Sequence, residues 1–228
     1  MNKNIKYFVN DRYLPFSTTD LIFRIIGYFV FSFIMIIPTE FILTDVQTNA
    51  FKYISFTAEY AKPLIVGAVI QSIIVSVITV ILFMQKSKWS VIAIRGVSFS
   101  FVSIVLLILS CFCEFSGCFS DIIVVIFKLV LYILCVIFYF RYLINTKLPK
   151  FNPHYSMQKS FCDYIFIIIS AFLVVMTKPL LNLFFNEMNF SISLYPLITL
   201  TEYICSLGII INIVELFAKS YYAKKYAL

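Results

Sequence analysis

The strongest constraint on this chain is the recurrence of apolar stretches of about 20 residues, the length a helix needs to cross a hydrocarbon core of about 30 Å. The stretch PLIVGAVIQSIIVSVITVILFM, residues 63–84, contains no charged residue. Strands of a membrane β-barrel need only about 10 residues and alternate in polarity; these runs are longer and do not alternate. At 62% hydrophobic and 13% charged residues, the chain exceeds the roughly half-apolar composition of a soluble domain. The expected fold class is an all-α membrane protein: a polytopic bundle of six transmembrane helices in a single transmembrane domain covering residues 1–228. The spans are expected at roughly 21–43, 63–84, 90–112, 119–139, 161–184 and 196–217.

Local signals refine these ends. Ser17 followed by Asp20 suits a helix start, Pro38 would kink the far end of the first span, and Pro63 would open the second, where proline is tolerated. The opening MNKNIKYFVNDRYLPFSTTD is too polar and too long for a secretory leader, so the first span is expected as an uncleaved anchor. Between spans one and two, Phe51, Ile54 and Ala58 recur at helical spacing with Tyr53 and Tyr60 nearby. This pattern is compatible with a short amphipathic helix in the membrane interface or with an irregular loop anchored by its tyrosines.

Orientation follows from Lys and Arg in short loops. Lys3, Lys6 and Arg12 precede span one, Lys86 and Lys88 separate spans two and three, Arg141, Lys147, Lys150 and Lys159 separate four and five, and Lys219, Lys224 and Lys225 follow six. Only Lys52, Lys62 and Lys178 fall in the opposite loops. With six spans all the rich segments share one side, which places both termini in the cytoplasm. The net charge of +7 therefore reports topology and does not call for nucleic acid. The expected setting is the lipid bilayer of a bacterial inner membrane.

Cys111, Cys113 and Cys118 lie together at the outer end of spans three and four. They are small packing residues or, on an oxidising face, a local disulfide; zinc would need about four ligands and no histidine is near. Ionisable residues within spans carry more information because burying them is costly. Arg24, Arg95, Asp163 and Glu215 near the inner ends, and Glu40, Asp121 and Lys178 near the outer ends, can reach water. Lys128 and Glu202 cannot do so easily. At 1.5 Å per residue they lie about 13 Å and 9 Å into their parallel spans. They are expected to approach one another or to face one polar cavity, either as a structural ion pair or as a polar relay, with Gln71 and Thr201 as candidate supports.

Small residues form faces suited to close helix packing: Ala68, Ser72 and Ser76 on span two, and Ala93, Gly96, Ser100 and Ser103 on span three. They are expected to pack these two spans as a tight hairpin or to bind a partner. No HExxH, GxSxG, CxxC or phosphate-binding glycine loop occurs, so neither enzymatic activity nor a cofactor or metal is expected. In overall look, with no motif behind it, the chain resembles small Lys- and Ile-rich bacterial membrane proteins of toxin-immunity and phage-defence systems. The small-residue faces, together with Lys147, Lys150, Lys159, Lys224 and Lys225 as a cytoplasmic basic face, lead to the expectation of a non-enzymatic protein that acts through a protein partner or a homo-oligomer in or at the membrane. The alternative expectation is a channel or transporter for an ion or small solute, centred on Lys128 and Glu202.

Overall fold

A computed structural model of the protein describes residues 3–10, 16–47, 56–112, 119–149, 164–165, 167–176 and 195–226. All regular structure among them is helical: α1 (Lys3–Asn10), α2 (Thr18–Gln47), α3 (Phe56–Met84), α4 (Lys88–Phe112), α5 (Phe119–Tyr142), α6 (Ile167–Met176) and α7 (Tyr195–Lys225). A π-helical turn, Leu143–Lys147, continues α5. Four stretches among the described residues are long and apolar enough to cross a membrane: Val66–Met84, Lys88–Cys111, Ile123–Lys147 and Leu200–Lys225. The first expected span falls within α2, and the fifth is represented by the ten-residue α6.

The helix ends follow backbone chemistry. At the start of α2 the Ser17 N–H and hydroxyl both donate to Asp20 Oδ2, at 2.9 and 2.7 Å, and the Asp20 N–H donates back to Ser17 Oγ at 3.2 Å. This is a reciprocal capping box. These bonds, with smaller help from Arg24 and Arg95, hold the Asp20 carboxyl below its ordinary value. The α2 backbone stays helical through Pro38. Pro63 is not at a helix start: α3 begins seven residues earlier, at Phe56, and contains the proline. Its ring nitrogen has no hydrogen for the carbonyl four residues back, a defect that membrane helices tolerate. Ala58 and Tyr60 thus belong to α3, while Phe51, Tyr53 and Ile54 lie outside the described residues. The α5 and α7 helices both outrun the expected spans, by the π turn and as far as Lys225.

Residues 85–87 reverse the chain between α3 and α4. The Gln85 and Lys86 N–H groups donate to the Leu82 and Phe83 carbonyls, and Lys86 adopts a left-handed φ of 46°. Only glycine takes that conformation without steric cost. Lys86→Gly is expected to stabilise the protein by about 0.5–1 kcal/mol, read as a raised melting temperature in detergent; a lowered one would show that the lysine side chain holds the turn.

Helix α4 occupies the middle. Its Phe101, Val105 and Leu109 form a buried cluster with Tyr28 of α2, edged by Phe31 and Val75. Its Leu107 belongs to a second cluster shared with α5, α6 and α7. The α4–α7 seam is the most extensive helix pairing among the described residues. Where a Cβ on Gly96 would stand, the Phe217 ring is 3.3 Å away. One of glycine's two hydrogens is thus what the neighbouring helix packs against. The short α1, absent from the sequence-level expectations, lies on the end of α7. Phe8 and Val9 are buried, the Lys219 ammonium sits 5.2 Å from the Phe8 ring, and Val9 clusters with Ala223 and Ile92. Ser220 Oγ donates to the Trp89 carbonyl at 2.9 Å. The start of α4, the end of α7 and α1 therefore meet at one end of the bundle, hereafter the basic end.

Candidate functional site: a polar ladder on α5

The outward side of α5 is apolar and exposed, with Ile126, Val130, Ile133, Ile137 and Phe140. Its inward side is the reverse. Lys128, Tyr132, Cys135 and Tyr139 are spaced by four, three and four residues, which places them on one helical face. Each meets a different partner. Lys128 is fully buried, and its Nζ donates to Ser110 Oγ at 3.0 Å and to the Ser110 carbonyl at 3.2 Å. Cys135 Sγ and Ser170 Oγ of α6 are 2.9 Å apart. Tyr139 donates its hydroxyl to Glu215 Oε1 at 2.9 Å.

The Tyr132 rung fixes the direction of its protons. Ser103 Oγ donates to the Ser206 carbonyl at 2.9 Å, and Ser206 Oγ returns a bond to the Ser103 carbonyl at 2.8 Å. A serine has one hydroxyl hydrogen. With that of Ser103 committed to α7, Tyr132 OH is the donor in its 2.7 Å bond to Ser103 Oγ. The reciprocal serine pair satisfies both hydroxyls in an environment without water, where each unmet polar group costs several kcal/mol.

Lys128 and Glu202 occupy the same level of the bundle. Tyr203, next to Glu202, places its ring 5.8 Å from Lys128 Nζ and donates its hydroxyl to the Lys128 carbonyl at 3.2 Å. Glu202 Oε2 is buried without a hydrogen-bond partner. Thr201 is exposed, and Gln71 is on α3, whose principal neighbours are α2 and α4.

Helices α3 and α4 are in contact, and the described residues of the two small-residue faces also meet other helices. Ser72 is buried against α2, with its hydroxyl 3.2 Å from Ser32 Oγ and 3.3 Å from the Tyr28 carbonyl, while Ser76 bonds back to the Ser72 carbonyl. Gly96 and Ser103 serve α7, and Ala93 is buried. Small residues mark where a helix packs closely but do not name the partner. Ala68 and Ser100 are half-buried. Arg24 does not simply reach for water: it donates to Ser98 Oγ at 2.8 Å, which also bonds Tyr28 OH at 2.7 Å.

The expected basic face divides. Lys147 leaves it, because its Nζ is 3.0 Å from Glu215 Oε1 and both side chains are nearly buried, at 11% and 14% exposure. A carboxylate within the bundle drew it inward. Lys224 and Lys225 remain exposed, Lys224 lying 4.7 Å from the Trp89 ring and Lys225 5.8 Å from the Tyr221 ring. Lys150, Lys159, Cys113 and Cys118 lie outside the described residues; Cys111 is half-buried near the end of α4.

No family model, curated protein or solved structure matches this chain. The polar ladder must therefore be interpreted by its own chemistry. The sequence reading found Lys128 but missed Tyr132, Cys135, Tyr139 and the Ser103–Ser206 pair. Their signal was present in KLVLYILCVIFY, where polar-capable side chains recur with heptad-like spacing inside an apolar run.

Proposed function

We propose that this protein passes protons across a membrane along the α5 ladder. The observation that carries the reading is the inverted polarity of α5, with lipid-facing isoleucines outside and hydrogen-bonding rungs inside at successive turns. Ionisable groups at membrane depth are retained at a cost and tend to mark ion or proton routes. Hydroxyls both donate and accept, so they can hand on a proton. Neighbouring rungs stand about 5–6 Å apart at Cβ, so passage between them needs water or side-chain rotation. In this reading there are six spans, both termini face the cytoplasm of a bacterial inner membrane, the basic end is the inner end, and no enzymatic step is involved.

The test is proton entry into liposomes holding a pH-sensitive dye, driven by a potassium diffusion potential. Tyr132→Phe removes one hydroxyl and keeps the ring. It is expected to cut the flux by about tenfold, the cost of one lost hydrogen-bonded step of about 1.4 kcal/mol. Absence of flux in the unaltered protein, or full flux in the variant, overturns the reading. A second reading, binding of a protein partner at the inner face, is favoured by the exposed Lys224, Lys225 and Tyr221. Its test is recovery of a stoichiometric partner in mild detergent that Lys224→Glu with Lys225→Glu releases.

A further inference from the structure

The last rung of the ladder has a feature the others lack. Tyr139, Lys147 and Glu215 form one closed group: Tyr139 OH and Lys147 Nζ both donate to Glu215 Oε1, and Lys147 Nζ also lies 3.3 Å from Tyr139 OH. Lys147 is eight residues beyond Tyr139. At about 100° per residue, continuous α-helix would rotate it roughly 80° off the Tyr139 face. Residues 143–147 are instead π-helical, with the Leu148 N–H donating to the Leu143 carbonyl, five residues back, at 2.8 Å. A π turn is wider and winds less per residue. It cancels much of that rotation, so that Tyr139, Leu143 and Leu148 are all buried in the same cluster while Lys147 stands over the Tyr139 ring. The ion pair depends on a helical form that is rare and frequently found at functional sites.

We infer that the Tyr139–Glu215–Lys147 group, carried by the π turn, is the closed inner gate of the ladder, and that rewinding residues 143–147 into α-helix opens it. This rests on the conduction reading above for its purpose but not for its mechanics. In the closed form the gate stands between the basic end and Cys135, one turn further in and buried at 5% exposure. Rewinding swings Lys147 away from Glu215 and leaves the carboxylate to water. Breaking a nearly buried pair from one side is costly, so the closed state persists until that pair is disturbed.

Cys135 reports the gate directly. Inside-out vesicles are treated with a membrane-impermeant methanethiosulfonate, and modification is located by peptide mass spectrometry. In the unaltered protein Cys135 is expected to react slowly. Lys147→Met and the nearly isosteric Glu215→Gln are each expected to accelerate it about tenfold or more, a modest fraction of what the loss of a buried pair can shift. The swap Lys147→Glu with Glu215→Lys is expected to restore slow reaction, separating gating from failed folding. Unchanged labelling in both single variants overturns the gate, whatever the flux. Faster labelling in the singles that the swap does not reverse also overturns it. Labelling that behaves as expected in a protein without proton flux leaves the gate standing and removes the conduction reading.

Discussion

Lys128→Leu is expected to destabilise the folded protein by about 3 kcal/mol and to abolish proton flux. A lysine at the centre of a membrane helix costs about 2.5–3.5 kcal/mol relative to an apolar residue, which by itself favours its removal. Two consequences oppose this. Ser110 loses the donor to its carbonyl and hydroxyl, and the Glu202 carboxyl, at the same level of the bundle and with Oε2 buried without a hydrogen bond, loses a positive charge beside it. Removing one member of a buried charge set costs about 3–5 kcal/mol, whereas replacing both by apolar residues is often neutral. The double variant Lys128→Leu with Glu202→Leu should therefore recover most of the melting temperature in detergent while remaining inactive. If the double variant melts as low as the single one, Lys128 supports the fold through Ser110 alone, and Glu202 is no part of its setting.

Gly96→Leu is expected to cost about 3 kcal/mol and to yield largely unfolded or degraded protein. The Phe217 ring already stands 3.3 Å from the position of a first side-chain carbon. Overpacking a close seam costs about 1–3 kcal/mol, and separating α4 from α7 would also strain the Ser103–Ser206 bonds two turns along, each worth about 1 kcal/mol. Gly96→Ala should be mild, because Phe217 is 40% exposed and its ring can shift by a few tenths of an ångström. Gly27→Leu is the control, since no atom lies within 4 Å of its side-chain position. Equal melting of Gly96→Leu and Gly27→Leu would remove the seam from the account. Bulky residues at Gly96 consequently test the fold before they test any partner.

Much of the helical scaffold was legible because the bilayer leaves few solutions. A long apolar run must satisfy its own backbone, and a helix does so. The start of α2 was equally clear from Ser17 and Asp20, a cap whose partners are three residues apart. Signals were weaker where the deciding contact is distant in sequence. Gly96 and Ser103 announced a close approach, but their partners lie on α7, about a hundred residues on. Lys147 looked like a topology marker until folding brought Glu215 beside it. The π turn had no local signature, because its advantage lies in aligning Lys147 with Tyr139. Pro63 misled for the opposite reason: a rule drawn from water-exposed helix ends was applied within a membrane helix, where an unpaired carbonyl does not stop the helix.

The central position of α4 has a consequence for biogenesis. Its widest seam is with α7, the latest described helix to leave the ribosome, while α5 and α6 are made in between. Until α7 arrives, Gly96, Ser103 and the inner side of α5 have no complete set of neighbours, and Lys128 and Tyr139 sit in a bilayer with part of their hydrogen bonding unmade. A nascent chain halted before residue 195 therefore leaves these groups without the partners that α7 supplies.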